Sequence, residues 1–349
     1  MNREASTVLP GSPVRVGIVG LVHTHVHWLL AREPRGDIEI VGIAEANRDL
    51  ARRYTAQHGY AIDLVHDTLE AMLDAARPDA VAVFTTILDH RRVVEACAAH
   101  GVHLMVEKPL AVSLDHARAM AEAARRAGIH LLTNYETTWY ASVHAAYERV
   151  RAGEVGPVRK VVVRSGNAGP REIGVNAEFL TWLTDPVYNG AGALIDFGCY
   201  GAALVPWLMG GQRPRSVTAV TQRLKPEPYL VDDEATIVVT YPEAQGLIQA
   251  SWNWPFDRKD MEVYGRTGSL HADDGSTLRV RTADAAEQRL RLDPLPAPHD
   301  DPFAYFAAVV RGDVVPGPGL SSLPINLIAM EILDAAMRSA KTGRTIYLA

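Results

Sequence analysis

Three side chains of the sequence have types and spacing suited to removing a proton from an alcohol. Lys108 ends a short apolar run, at the carboxyl end of a predicted parallel strand, where α/β proteins place ligands. Asp196 and Tyr200 are four residues apart, so they face the same way if residues 193–209 form one helix. An ammonium near a phenol lowers the tyrosine pKa from about 10. The phenolate can then accept a hydroxyl proton while hydride leaves the same carbon, with Asp196 orienting Lys108.

Each of the three residues also has an ordinary interpretation. Lys108 could lie on the surface, Asp196 could stabilise the start of a helix through the helix dipole, and Tyr200 could pack in a core. The catalytic prediction therefore depends on whether the three side chains belong to one site.

The turn after the first predicted strand resembles an incomplete dinucleotide-binding fingerprint. Such a fingerprint places glycines at positions 20, 22 and 25, and the sequence has Gly20, Val22 and His25 there. Glu45 follows the second predicted strand, where a carboxylate accepts hydrogen bonds from ribose hydroxyls and repels a 2′-phosphate. This pattern favours NAD over NADP, although Arg48 nearby could weaken the preference.

The same turn contains a His-x-His pair that allows a second interpretation. His23 and His25 match the metal pair of barrel hydrolases, in which imidazoles at i and i+2 share one face. That site needs further ligands at later strand ends, whereas His103 and His130 lie at the starts or middles of their predicted strands. The alternatives are that His23 and Thr24 donate to phosphate or that the segment only packs.

The first 133 residues alternate short β-branched runs with amphipathic stretches. The runs are at 14–19, 38–43, 80–85, 102–106 and 129–133, and the helical stretches are at 24–33, 47–57, 67–76, 90–99 and 113–127. Runs that are apolar at nearly every position suit strands covered on both faces. The alternation therefore predicts a parallel, doubly wound sheet, that is, an α/β Rossmann domain.

The pattern changes near residue 134. Helices are predicted at 138–152, 193–209, 302–311 and 325–340, and strands near 159–164, 216–223, 234–241, 246–252, 260–264, 277–281 and 288–292. Consecutive strands with short turns predict an α+β domain with a large, mainly antiparallel open sheet. We therefore predict two domains, 1–133 for the dinucleotide and 134–349 for substrate and oligomerisation.

Four segments in fixed order resemble the glucose–fructose oxidoreductase / inositol dehydrogenase (Gfo/Idh/MocA) family. They are the strand and loop ending at Gly20, FTTILDH at 84–90, GVHLMVEKPL at 101–110 and GAGALIDFGCY at 190–200. In the last segment Tyr200 stands where the family commonly has histidine, and sugar- and dihydrodiol-oxidising members also have tyrosine there. The departures at Val22, His25, Thr86 and Ile87 fall on cofactor contacts.

The resemblance implies NAD or NADP as hydride carrier, a cis Lys108–Pro109 bond, and a C-terminal helix near 325–340 that packs back on the first domain. Together with the loop and Glu45, it gives a predicted cofactor site. Its residues are Gly20, Val22, His23, Thr24, His25, Glu45, Thr85, Thr86, His90, Glu107 and Lys108.

Aromatic and polar residues of the second half are candidates for substrate binding, because aromatic faces stack on the apolar faces of sugar rings. The predicted substrate site comprises Lys108, Tyr135, Trp139, Arg164, Asn167, Trp182, Asp196 and Tyr200. Core packing is the alternative for each aromatic residue. Trp252, Trp254 and Phe256 alternate on a predicted strand and could form an oligomer interface, which would make the protein a homodimer or homotetramer through its antiparallel sheet.

Composition narrows the class of protein. The 349 residues include 35 Lys and Arg and 41 Asp and Glu, a formal charge of −6, and no basic cluster, so we expect no nucleic-acid partner. Two cysteines argue against a disulfide framework or a cysteine-rich zinc site. The sequence has no apolar run of roughly 18 residues, and residues 1–13 do not resemble a signal peptide. We therefore expect a cytoplasmic protein with no membrane partner.

The leading hypothesis is an NAD-dependent oxidoreductase acting on a secondary alcohol of a sugar or polyol, without a metal. A redox-neutral glycosidase, which oxidises C3 transiently and eliminates the glycoside, would use the same first step. A non-catalytic sugar- or nucleotide-binding protein is the alternative that the incomplete glycine loop motivates. A metal-dependent hydrolase using His23 and His25 is the least favoured.

Overall fold

The computed structural model describes residues 11–348, and the chain divides into two compact units. The first unit extends to Asn134 and also contains Asn176–Trp182 and Ala297–Gly317. The second contains Tyr135–Val175, Leu183–Pro296 and the chain from Pro318. Most of the N-terminal segment considered above for a signal peptide lies outside the described residues.

Fifteen strands and twelve α-helices form within the described residues. The strands are β1 Val14–Val19, β2 Ile38–Ala44, β3 Val65–His66, β4 Ala80–Val83, β5 His103–Glu107, β6 Leu131–Asn134, β7 Val158–Gly166, β8 Ser216–Gln222, β9 Glu234–Thr240, β10 Gln245–Ser251, β11 Arg258–Gly265, β12 Gly268–Ala272, β13 Thr277–Thr282, β14 Ala285–Arg291 and β15 Ile346–Tyr347. The helices are α1 Val26–Leu30, α2 Arg48–His58, α3 Leu69–Ala76, α4 His90–Ala99, α5 Leu114–Ala127, α6 Ala141–Arg151, α7 Ala177–Leu183, α8 Pro186–Asn189, α9 Ala193–Asp196, α10 Gly198–Leu208, α11 Pro302–Arg311 and α12 Leu323–Thr342.

The first unit is built on a six-stranded parallel sheet in the order β3-β2-β1-β4-β5-β6, which confirms the predicted doubly wound domain. Every residue of β4 and β5 is buried, as expected for strands covered on both faces. The strand order reverses between β1 and β4. In such sheets the crevice at this reversal, outside the carboxyl ends of the strands, is where ligands bind.

Helix α11 belongs to the core of the first unit although it lies far along the chain. Phe303 and Phe306 are buried in the same cluster as Val16 and Ile18 of β1. The Asp301 side chain accepts from the backbone N–H groups at the start of α11 and so fixes where the helix begins. The helix itself was predicted from its periodicity, but its place beside β1 was not.

The second unit contains a nine-stranded mixed sheet in the order β14-β13-β12-β11-β7-β10-β9-β8-β15. Among the described strands of this sheet only β7 and β10 pair in parallel, so the predicted mainly antiparallel sheet is confirmed. Along β9 buried and partly exposed residues alternate, and Ala235, Ile237 and Val239 point into the core. Helices α10 and α12 pack against strands of this sheet.

Two sequence predictions for the second unit were wrong. Residues 268–272, which lie in none of the predicted strands, form β12, because pairing with β11 and β13 outweighs the weak β propensity of Gly-Ser-Leu-His-Ala. The predicted helix 193–209 is two helices that meet at Phe197. Asp196 ends α9 and Tyr200 lies in α10, so helical spacing alone does not align them.

The contacts of α12 with α10 and β8 lie within the second unit. Its return to the first domain stays a prediction, as does the boundary at residue 134. Among the described residues, no single helix is long and apolar enough to span a bilayer, although the bent pair Pro186–Asp196 and Gly198–Leu208 meets the criteria of length and composition.

Close packing of α10 on β10 requires a glycine at position 201. A Cβ atom there would lie 2.5 Å from Ile248 Cγ2 and 3.0 Å from Ile248 Cβ, so the clash involves the base of a buried side chain. We expect Gly201→Ala to lower the free energy of unfolding by about 1–2 kcal/mol, because overpacking exceeds the helix-propensity gain of about 1 kcal/mol. Urea unfolding measures this, with Gly319→Ala as the control, since no atom lies within 4 Å of a Cβ at 319.

Candidate functional site

A cleft of about 340 Å³ opens at the carboxyl ends of β1, β2 and β4 in the first unit. It is lined by Val19, Gly20, Val22, Ala44, Glu45, Ala46, Asp67, Thr68, Leu69, Glu70, Thr85, Thr86, Asp89 and Arg92. Five of the predicted cofactor residues, from three separate segments of the chain, therefore line one cleft. It lies at the reversal of strand order, where a dinucleotide binds in this type of sheet.

Gly20 is required by the close approach of β1 to the segment after β4. Its φ is +79°, and a Cβ atom would lie 2.7 Å from Thr85 Cγ2 and 2.9 Å from the Thr85 backbone nitrogen. Any side chain at position 20 would therefore fill the narrow gap beside Thr85. The fingerprint residue that the sequence keeps is the one that the tight turn needs.

Glu45 forms one wall of the cleft and organises the turn opposite. Its Oε2 accepts from the Leu21 N–H at 2.9 Å and its Oε1 from the Asn47 N–H at 2.8 Å. Burial raises the pKa of Glu45, and the two backbone N–H groups oppose that rise. A carboxylate has about four acceptor sites, so acceptor capacity remains for ribose hydroxyls. The cleft therefore fits the adenosine end of a dinucleotide.

Among the charged residues that line the cleft, four are acidic and one, Arg92, is basic. Arg48, the residue that could have weakened the preference for NAD, is held at 2.5 Å by Asp67 and at 3.0 Å by the Val65 carbonyl. Glu45, Asp67, Glu70 and Asp89 all line the cleft. The donor set therefore suits a diol better than a phosphate monoester.

The imidazoles of the turn meet a carboxylate from another strand. His25 Nδ1 lies 2.8 Å from Glu107 Oε2 at the end of β5, and His23 Nδ1 accepts from the His25 N–H at 3.1 Å. Asn134 Nδ2 donates to the other Glu107 oxygen at 2.8 Å. One ligand atom each from His23, His25 and Glu107 lies within 4.8 Å of the others, so the trio could hold a metal ion. Hydrogen bonds within the trio already use His23 Nδ1, His25 Nδ1 and Glu107 Oε2, and a metal-free site stays our prediction.

Burial is the largest cause of the pKa shifts of His23, Glu107 and the nearby His90. Burial lowers the pKa of His23 well below its usual value and raises the pKa of Glu107. Burial also lowers the pKa of His90 to about 4. His90 Nδ1 lies 3.1 Å from the Leu110 carbonyl, so this side chain holds the segment that follows Pro109.

Lys108 directly follows β5 and is 6% exposed. Its charge contributes to the lowered pKa of His23 and opposes the rise that burial causes in the pKa of Glu107. The Lys108–Pro109 peptide bond is cis, as the family resemblance implied. Lys108 therefore lies at the carboxyl edge of the parallel sheet, as predicted.

In the second unit, Asp196 and Tyr200 lie in a buried aromatic cluster. Trp252 Nε1 donates to Asp196 Oδ2 at 2.9 Å, although 56 residues separate the two. The rings of Tyr135 and Tyr200 meet edge to face at 5.7 Å between centroids. The Tyr135 hydroxyl donates to Asn326 at 2.9 Å. The sequence analysis missed the role of Trp252 because nothing local marks it as a partner of Asp196.

The expectation that Trp252 lies on an oligomer interface was wrong. Its side chain is fully buried and bonded to Asp196. β10 ends at Ser251, so Trp252 and Phe256 do not lie on the regular strand that the prediction assumed. Phe256 is 64% exposed.

The other predicted substrate residues belong to several different elements. Arg164 forms ion pairs with Asp260 at 3.2 Å and Glu262 at 2.7 Å. Asn167 caps the turn that follows β7 by accepting from the Gly169 N–H at 2.8 Å. Trp139 is half-buried in a short 3₁₀ turn. Trp182 belongs to the first unit.

Comparison with known proteins gives two family matches that follow one another along the chain. Residues 14–135 match an oxidoreductase family described as having an NAD-binding Rossmann fold. Residues 143–271 match a GFO/IDH/MocA C-terminal domain. The two matches together cover most of the chain.

Relatives of known activity and a solved structure agree with these matches. Trans-1,2-dihydrobenzene-1,2-diol dehydrogenase of Bos taurus is 27% identical over 231 residues, 66% of this chain and 65% of that protein. D-apiose dehydrogenase of Paraburkholderia graminis is 26% identical over 332 residues, 89% of this chain and 83% of that protein. An inositol dehydrogenase homologue of Azotobacter vinelandii, solved with NAD⁺, superimposes with a TM-score of 0.83 at 20% identity over 98% of this chain and 100% of that one, which shows the shared fold.

The buried histidines predict an acid sensitivity of folding. The pKa of His90 in the folded protein, about 4, is below the ordinary value of 6.5, so the unfolded chain binds the extra proton. The stability contribution is fully present above pH 6.5 and is lost as pH falls toward 4. At pH 5 the loss from His90 alone is about 2 kcal/mol.

His90→Gln should therefore reduce the slope of the unfolding free energy against pH between pH 5 and 6.5. The reduction should correspond to at most one bound proton. Urea unfolding at a series of pH values measures the slope, and His100→Gln, at the partly exposed end of α4, is the reference variant. An unchanged slope in His90→Gln would contradict the attribution of the acid sensitivity to His90.

Proposed function

The chain belongs to the GFO/IDH/MocA family of oxidoreductases, and we propose that it transfers hydride between NAD and a secondary alcohol of a sugar or polyol. The observation that carries this proposal is the cleft that Gly20 and the buried Glu45 line, at the point where the strand order of the parallel sheet reverses. The relatives support the substrate class, because they are named for a dihydrobenzene diol and for D-apiose. The chain covers 65% of the length of the dihydrodiol dehydrogenase that it matches.

The first unit supplies the cofactor site in this proposal. Gly20, Val22, Thr85 and Thr86 would line the dinucleotide, and Glu45 would accept from the ribose hydroxyls. NAD, when bound, supplies the hydride acceptor. The acidic lining and the paired Arg48 support NAD rather than NADP.

In this proposal, side chains of this protein carry out the proton transfer. Tyr200 would take the substrate hydroxyl proton on its phenolic oxygen, and the Lys108 ammonium would stabilise the phenolate and bind the hydroxyl. Asp196, held by Trp252, would balance the charge on Lys108 and keep it oriented. Lys108, Asp196 and Tyr200 are all nearly completely buried. Their burial supports these roles, because electrostatic interactions are stronger where water is excluded.

Association through the sheet of the second unit is a further part of the proposal. Val220 of β8 is 62% exposed and Tyr347 of β15 is 80% exposed. Apolar groups of this kind at the edge of a sheet favour pairing with a second copy. A homodimer or homotetramer in the cytoplasm is therefore the assembly that we propose.

Incubation of the protein with NAD and a panel of sugars, polyols and their glycosides tests the activity. We expect NADH absorbance to grow with at least one sugar or polyol. Glycoside cleavage with no net NADH would instead identify the redox-neutral glycosidase, because the hydride then returns to the substrate. Failure to bind either NAD or NADP at millimolar concentration would favour a non-catalytic binding protein.

Lys108→Ala and Tyr200→Phe should each lower kcat by about 100-fold or more, because each removes a group that acts on the transferred proton. The affinity of Tyr200→Phe for NAD should change by less than about threefold. Tyr241→Phe is the matched control, since Tyr241 is also buried in the second unit and its hydroxyl has no hydrogen-bond partner among the described residues.

Combining the two substitutions tests whether the residues act in one step. The double variant should then be about as slow as the slower single variant. Near-full activity in both single variants would refute the catalytic assignment.

A further inference from the structure

Residues Asn176–Trp182 follow the first strand of the second unit along the chain but belong to the first unit. Trp182 Nε1 donates to the Val22 carbonyl at 3.3 Å. The ring of Phe179 meets the His23 ring edge to face at 4.7 Å between centroids. Helix α7 therefore covers the turn whose glycines are replaced, and it lies beside the cleft that Val22 lines.

The same segment is tied to α2, the helix that begins just after Glu45. Asn176 Nδ2 donates to the Tyr54 hydroxyl at 2.9 Å, and Glu178 Oε1 lies 2.7 Å from Arg53 Nη2. The Arg53 guanidinium lowers the pKa of Glu178, so this carboxylate is ionised at neutral pH. The charge of Glu178 also adds to the effect of burial in raising the pKa of Glu45.

Three guanidinium groups of α2 have acidic partners. Arg48 pairs with Asp67, Arg52 with Asp49, and Arg53 with Glu178. Proteins that bind NADP commonly use an arginine near this point of the fold to hold the 2′-phosphate. In this chain, a phosphate would have to compete with Glu178 for Arg53.

We propose that Glu178 is a specificity-determining residue of the dinucleotide site, which keeps Arg53 paired and adds negative charge near Glu45, so that a cofactor with a 2′-phosphate is disfavoured. This inference rests on the proposed NAD-dependent function. It extends the site to a helix that the sequence pattern places far from the Rossmann domain. NAD has a hydroxyl at the 2′ position and does not meet this repulsion.

Titration of the full-length protein with NADH and NADPH, followed by cofactor fluorescence without substrate, tests the role of Glu178. We expect Glu178→Gln to bind NADPH about tenfold more tightly than the wild type does, because a charge is removed and Arg53 is released. NADH affinity should change by less than about threefold. Circular dichroism of the variant confirms that it is folded.

Two further variants separate this role from a general change in charge. Asp49→Asn removes the same charge from the exposed pair with Arg52 on the same helix, and it should not reproduce the gain. Adding Arg53→Ala to Glu178→Gln should abolish most of the gain, because the released guanidinium is then absent.

Each outcome bears on one proposal or the other. If the wild type binds NADH and Glu178→Gln leaves the NADPH affinity unchanged, or if Asp49→Asn gives an equal gain, the role of Glu178 is refuted while the proposed function stands. A wild type that binds NADPH as tightly as NADH would also refute it. If the wild type binds neither cofactor, the proposed function fails and this inference fails with it.

Discussion

The close approach of β1 and the segment after β4 is the constraint on which the candidate cofactor site depends. Gly20 adopts a positive φ within contact distance of the Thr85 backbone, and no side chain fits between them. This geometry brings the ends of β1 and β4 together and opens the cleft at the reversal of strand order. The position of Glu45 follows from it, because Glu45 binds the backbone N–H of Leu21 immediately after the turn.

The remainder of the turn is held by side chains where a complete fingerprint would have glycines. His25 reaches Glu107 at the end of β5, and Trp182 donates to the Val22 carbonyl. Both contacts are polar and largely buried, so each satisfies a group that would otherwise be costly to remove from water. Tertiary contacts therefore order the turn although its glycine pattern is incomplete.

Prediction from sequence succeeded where local periodicity decides the structure. The parallel strands, α11 over 302–311 and the antiparallel sheet followed from hydrophobic spacing. It failed at Phe197, where one apolar run forms two helices, and at Trp252, whose partner is distant along the chain. Five residues predicted to bind the cofactor line one cleft, but the partners that hold them were not predicted, because no local pattern encodes those partners.

The sequence by itself determined the two fold types, the order of their elements and the chemical groups available at the strand ends. Only the tertiary structure decided which groups meet. His25 and Glu107 are 82 residues apart, Asp196 and Trp252 are 56 apart, and Arg53 and Glu178 are 125 apart. Periodicity reports which face of an element is buried, whereas such partners are chosen by how buried faces pack, and that choice depends on the whole chain at once.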